Sequence, residues 1–248
     1  MKAMILAAGK GTRPPLDLIL ESLTEQGICD IAINTSYLSD ETIRFCQSGA
    51  QYDARILFSY EGDSADGWQH RRPLGSAGGL RQVQQKWHYF DDTFVVLCGD
   101  AFFDVDLWDV VRQHNANEAL ATVVTRSMAE DQLQKYAVVL TDDDGRVSSF
   151  QEKPLPGTAL SSDITTGIYI FDKKIFAYIP ILGEYDIGSE LLPTIVAAGC
   201  PLYAYQATST WMDSGNIQEI HWGASETLDR QTAVADTRCP YWSTFLGS

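Results

Sequence analysis

At 248 residues, with 45% of them hydrophobic and 21% charged, the chain has an ordinary globular composition and enough length to bury a large core. A formal net charge of −15 excludes a broad nucleic-acid-binding surface, and no apolar run approaches the roughly 20 residues of a membrane helix. A small anionic substrate is compatible with that charge only where Lys, Arg or a metal ion gathers locally.

MKAMILAA reads as a buried first β-strand. Its Lys and apolar residues mimic a secretory leader, but the run is too short and Gly9 to Arg13 follow directly, so a cytoplasmic protein is expected. Leu16, Ile19, Leu20 and Leu23 recur at helical spacing and predict a first helix closed at Gly27. DIAINT is the next strand, SDETIRFCQSG a helix with Ser39 as N-cap, and ARILFSY a third strand. A polar loop containing GDSADGWQHRRP leads into the helix GSAGGLRQVQQKW. TFVVLCGD is an apolar strand ending in Gly-Asp, and the helix DLWDVVRQH follows. This alternation predicts an α/β fold, with a parallel sheet covered by helices on both faces.

The texture changes after about residue 119. ALATVVT, YAVVLTDDDGRVSSFQEKP and TTGIYIF read as strands, with Asp-Asp-Gly turning a hairpin. DIGSELLPTIVAAG is a helix closed by Gly199, PLYAYQA a strand and NIQEIHWGASETLD a late helix. No linker, low-complexity tract or repeat interrupts the chain, so a single domain is expected. Cys29, Cys46, Cys98, Cys200 and Cys239 form no Cys-x-x-Cys pair and read as buried free thiols; the four histidines show no metal-ligand spacing.

In an open α/β sheet ligands bind outside the carboxyl ends of the strands. Gly9-Lys10-Gly11-Thr12-Arg13 lies there, with glycines that admit an anion to the backbone and two cations beside it, or it is an ordinary glycine turn. It is neither a Walker A loop nor a dinucleotide fingerprint, because Pro14 stands where a third glycine belongs. Asp100, after VVLCG, could hold Mg²⁺ beside a phosphate or cap the next segment. Trp211-Met212-Asp213-Ser214-Gly215 offers a second carboxylate or an N-cap, and Gln151-Glu152-Lys153-Pro154 a charged pair at a strand end or plain solvated charge.

Taken in order, MILAAGKGTR, LGSAGGL, VVLCGD, FQEKP, TTGIYIF, DIGSELLP and WMDSG resemble the sugar-1-phosphate nucleotidyltransferases from the first residue to about Glu219. The resemblance implies a Rossmann-like three-layer fold with a mostly parallel mixed sheet. It implies a nucleotide-binding half to about residue 118, a sugar-phosphate-binding half to about 229 and a tail beyond. Leu6, Ala7, Ala8, Gly9, Gly11, Thr12 and Arg13 would then line the nucleotide and its phosphates, together with Leu74, Gly75, Ser76, Gly78 and Gly99. Asp100 and Asp213 would share Mg²⁺, Glu152, Thr165 and Gly167 would shape the sugar pocket, and Lys153 would hold the sugar phosphate. Arg13, Asp100, Lys153 and Asp213 are the implied catalytic set.

The implied reaction joins a nucleoside triphosphate to a hexose 1-phosphate and releases pyrophosphate. The chain looks most like the short mannose-1-phosphate guanylyltransferases and their glucose-1-phosphate relatives, which puts mannose and GTP slightly ahead. Two departures stand out. Thr165 replaces a common Asn, and Arg13 is followed by only Pro14 and Pro15 before the helix, so a longer loop and its phosphate-binding lysine have no counterpart. Either the loop is truly lost, or the sequence omits a segment there; the survival of every later motif favours the second. A weak or inactive domain that binds a nucleotide sugar or regulates a partner is the rival reading, and the tail from about Arg230 suits either intradomain packing or a homodimer contact.

Overall fold

The strand β1 (Lys2–Ala7) buries Ala3, Met4 and Ile5 completely, and alternate residues of a strand face opposite sides. Ala3 and Ile5 join one apolar cluster, Met4 another. The sheet therefore has helices on both faces and the molecule three layers. The computed structural model describes residues 1–8, 16–36, 39–65, 68–71, 73–208 and 211–213. The expectations for Gly9, Gly11, Thr12 and Arg13, for the helix NIQEIHWGASETLD and for the tail lie outside these residues.

After β1 come α1 (Leu16–Glu25), β2 (Asp30–Thr35), α2 (Ser39–Cys46), β3 (Arg55–Tyr60), β4 (Gly62–Ala65), β5 (Trp68–Arg71) and α3 (Ser76–Trp87). Then follow β6 (Phe94–Cys98), β7 (Ala101–Phe103), α4 (Leu107–Ala116), β8 (Ala121–Ser127), β9 (Ala137–Thr141) and β10 (Val147–Glu152). β11 (Asp163–Phe171), α5 (Leu192–Ala197), β12 (Leu202–Gln206) and β13 (Trp211–Asp213) complete the order.

β3, β2, β1 and β6 are neighbours in that order and run parallel. β11 then lies antiparallel to β6, and β8 antiparallel to β11, with β12 parallel beside β8. The hairpin β9–β10 joins through Ile164, which pairs with Val138. The nine-stranded sheet is thus mixed, with a four-stranded parallel run in the amino-terminal half. Leu16, Ile19, Leu20 and Leu23 of α1 are all buried, as their spacing predicts, and pack with Leu107 and Val110 of α4 on one face. Leu80 and Val83 of α3 and Leu192 and Ile195 of α5 cover the other.

The structure corrects four expectations. The polar loop after β3 is a hairpin: Ala65 pairs with Trp68, and the two residues between them are Asp-Gly, a strong hairpin dipeptide. DIGSELLPTIVAAG is not one α-helix, because a π-helical turn over Ile187–Leu191 precedes α5. Pro193 explains the change, since its ring would crowd the carbonyl four residues back in an α-helix and it has no N–H to donate. β7 and β13 form a small antiparallel ladder that the sequence pattern did not mark. Cys46, Cys98 and Cys200 are free thiols, whereas Cys29 is disulfide-bonded.

Candidate active site

Chain order reverses direction between β1 and β6: from β1 the chain moves one way to β2 and β3, and β6 lies on the other side. The crevice outside such a switch point is where open α/β sheets bind ligands. Leu6 and Ala7 end β1 there, with half-buried Ala8 after them. Gly99 N–H donates to the Leu6 carbonyl at 2.9 Å, and a Cβ at Gly99 would sit 2.8 Å from that oxygen. Only glycine lets the two strand ends come so close. Asp100 follows, exposed to solvent at the mouth.

β7 starts one residue later and pairs with β13, with Asp213 in register with Ala101. The ladder therefore brings the backbone of Asp213 beside that of Asp100, although the two are far apart in sequence. Among the described residues no group of three or more His, Cys, Asp or Glu could hold a metal ion. Mg²⁺ does not require one, because it keeps several waters and takes one or two carboxylates. Asp100 is an exposed carboxylate at the crevice, and Asp213 lies on the adjoining strand.

The implied sugar-phosphate residues reach the same edge from the other half. Gly167 interrupts β11 at a register shift between Thr165 and Tyr169, with φ +80°. A Cβ there would fall 2.9 Å from Cys98 Sγ, so glycine is needed both for the backbone and for the fit against β6. Thr165 is half-buried opposite Thr125. Glu152 ends β10 and its carboxylate lies 3.6 Å from Lys153 Nζ. Lys153 is in the left-handed region at φ +42°, anchored by its N–H to the Tyr136 carbonyl at 3.2 Å.

The start of α3 is bound to the segment before α5. Tyr185 N–H donates to the Leu74 carbonyl at 2.8 Å, and Gly78 N–H donates to the Tyr185 carbonyl at 3.0 Å. Ser76 Oγ donates to Asp186 Oδ2 at 2.7 Å and accepts from Ile187 N–H at 2.7 Å. Burial pushes the Asp186 carboxyl up, but donors from Ser189, Ser76 and Gly188 outweigh it and hold the group below its ordinary range. Gly75, at φ +72°, approaches this segment rather than open space: a Cβ would lie 2.4 Å from the Tyr185 carbonyl.

Three residues that the sequence pattern passed over belong to the site's frame. Asn34, at the end of β2, is 1% exposed, and Glu61, just after β3, is 4% exposed. Ala7 N–H donates to Asn34 Oδ1 at 2.9 Å, Asn34 Nδ2 to Glu61 Oε1 at 2.6 Å, and Leu74 N–H to Glu61 Oε2 at 3.3 Å. Burial raises the Glu61 carboxyl, the Leu74 and Asn34 donors lower it, and Glu184 adds to the rise. Tyr169 is the third. Burial holds its hydroxyl well above its ordinary value, and the charges acting on it are those of Cys98, Asp186, Asp100 and Glu152. A polar residue ending an apolar strand, as in DIAINT, was the signal for Asn34.

The fold is an open α/β sheet with its crevice at a switch point, and comparison with known sequences defines the class. The chain belongs to the nucleotidyl transferase family, whose profile matches residues 2–230. It is 41% identical to a UTP–glucose-1-phosphate uridylyltransferase of Synechocystis sp., over 93% of this chain and 64% of that protein. It is 25% identical to a glucose-1-phosphate adenylyltransferase of Pseudothermotoga lettingae, over 93% of this chain and 56% of that protein. The chain thus spans about three fifths of the length of these relatives. A solved structure of a proposed glucose-1-phosphate thymidylyltransferase from Bacillus anthracis shares the fold, with TM-score 0.72 and 21% identity over 96% of this chain and 98% of that one. These relatives are sugar-1-phosphate nucleotidyltransferases by name, and they give no support to the expected lean towards mannose and GTP.

Proposed function

We propose that the chain transfers a nucleotidyl group from a nucleoside triphosphate to a hexose 1-phosphate, giving a nucleotide sugar and pyrophosphate. The observation that supports this reading is the β7–β13 register, which pairs Asp213 with Ala101, the residue after Asp100. The 41% identity to a uridylyltransferase makes UTP and glucose 1-phosphate the first pair to try.

A phosphate oxygen of the sugar phosphate attacks the α-phosphorus, and the bond from that phosphorus to the pyrophosphate oxygen breaks. The nucleophile is already ionised at neutral pH, so no general base is needed. The physical problem is charge: two phosphate charges at 4 Å repel by roughly 4 kcal/mol at an effective dielectric near 20. Mg²⁺ held by Asp100 and Asp213 would offset negative charge on the reacting phosphates. Lys153 holds the sugar phosphate from the far side, and Glu152 orients sugar hydroxyls. Arg13 meets the triphosphate. Leu6, Ala7 and Ala8 with Gly99 line one wall, and Leu74 to Gly78 another. Fixing two anions in line is most of the catalysis.

Pyrophosphate release tests the reading directly. UTP with glucose 1-phosphate and Mg²⁺ is expected to give steady release that stops with a chelator. Release with none of the four common triphosphates, paired with either glucose or mannose 1-phosphate, would refute it. A second reading has one observation in its favour: only Pro14 and Pro15 separate Arg13 from α1. A domain that binds nucleotide sugar without turnover fits that shortening, and tight UDP-glucose binding without pyrophosphate release would establish it.

A further inference from the structure

The bonds through Asn34 and Glu61 form a continuous buried strut. It runs from the Ala7 amide, through the Asn34 side chain and the Glu61 carboxylate, to the Leu74 amide. Its two ends are the last residue of β1 and the residue that leads into α3. Gly79 leaves room for it, since a Cβ there would fall 2.6 Å from Asn34 Nδ2 and 3.0 Å from Glu61 Oε1. Stability alone does not account for a carboxyl placed there, because a well-packed apolar group of similar shape is often as stabilising as a buried polar one. The strut lies at the carboxyl ends of β2 and β3, beside the switch-point crevice and not in mid-sheet.

We propose that Asn34 and Glu61 are positioning residues for the nucleoside triphosphate, fixing the distance between the β1 end and the Leu74–Ser76 entry to α3. This rests on the transferase reading above, in which those two segments are opposite walls of the nucleotide site. Walls that drift by about 1 Å lose roughly a hundredfold in rate. The sugar phosphate, held by Glu152, Lys153 and Gly167 in the other half, does not depend on the strut.

Exchanging the polarity of the pair tests this. In Glu61→Gln the Gln amide and the Asn34 amide present donors to each other. In Asn34→Asp two carboxylates face each other. In the double variant Asn34→Asp/Glu61→Gln every bond can re-form: the new carboxylate accepts from Ala7 N–H and from the Gln amide, whose oxygen accepts from Leu74 N–H. Each single variant is expected to raise the KM for UTP by about tenfold or more and the KM for glucose 1-phosphate by less than about threefold. Amide exchange at Ala7 and Leu74 should speed up in parallel. The double variant should return both readouts to within about threefold of the unaltered protein.

Single variants with unchanged UTP KM would overturn the proposal. So would equal rises for both substrates, or a double variant no better than the worse single one. If one single variant does not fold, the other single variant and the double variant decide together. If the unaltered protein releases no pyrophosphate, the transferase reading fails, and the strut is then judged by direct UTP titration of the same variants. Absence of UTP binding to the unaltered protein would overturn both.

Discussion

Asp100 is exposed, so its charge costs little in desolvation and its loss should cost little in stability. Its place is set by the backbone: Gly99 locks onto Leu6 just before it, and the β7 ladder to Asp213 begins just after it. Asp100→Asn is therefore expected to lower the pyrophosphate-release kcat by about a hundredfold or more while moving the melting temperature by less than about 2 °C. Activity within a few-fold of the unaltered protein would remove Asp100 from the chemistry. At this scale Gly99, Asp100 and Glu152 stood out as candidates because they end strands in sequence, whereas Gly167, inside β11, was named only through the family resemblance. Asn34 and Glu61 close strands as well, but their importance lies in touching each other and two distant amides, which only folding brings together. Tyr169 read as core, and the carboxylates that add to burial in raising its pKa, Asp186, Asp100 and Glu152, come from three separate segments.

Elements with a strong local pattern were read correctly, such as α1 from its apolar spacing and β9–β10 from Asp-Asp-Gly between alternating strands. The π-helical turn before α5 was not, because helical periodicity does not distinguish a wide turn from an α-turn. Asp186 caps that turn by accepting from Ser189 N–H at 2.9 Å, and the same carboxylate takes Ser76 Oγ from α3. The two elements thus share one acceptor, and Gly75 leaves no room for a Cβ against the Tyr185 carbonyl. Gly75→Ala would press a Cβ into the Tyr185 carbonyl and force a side-chain-bearing residue to φ +72°. We expect a loss of about 1–3 kcal/mol in denaturant unfolding, with the UTP KM raised because Leu74 is displaced. A variant as stable as the unaltered protein would show that α3 can slide freely on this segment.

For the whole molecule, the parallel half of the sheet followed from strand–helix alternation, whereas β11 serving β6, β8 and β9 was invisible in sequence because those pairings are long-range. Under the same sheet lies His114 of α4, 2% exposed, with Nδ1 2.9 Å from Thr122 Oγ1 of β8. It takes no part in the proposed chemistry, but it ties the stability of the fold to pH. Burial lowers its pKa from 6.5 to about 4, and the nearby Asp172 only partly opposes this. The sign follows from proton binding: between those values the unfolded chain takes up a proton at His114 and the folded one does not, so stability falls as pH drops. The full difference amounts to at most about 3 kcal/mol, reached near pH 4 and absent above pH 7. Carboxylates titrate in the same range, so the effect is isolated by comparison with His114→Asn, which keeps a polar atom near Nδ1 but cannot be charged. Denaturant unfolding at pH 7, 5.5 and 4.5 should show the unaltered protein losing stability faster than the variant as pH falls. Parallel curves would mean that His114 gains its proton inside the fold, and that the layer between α4 and β8 admits the charge.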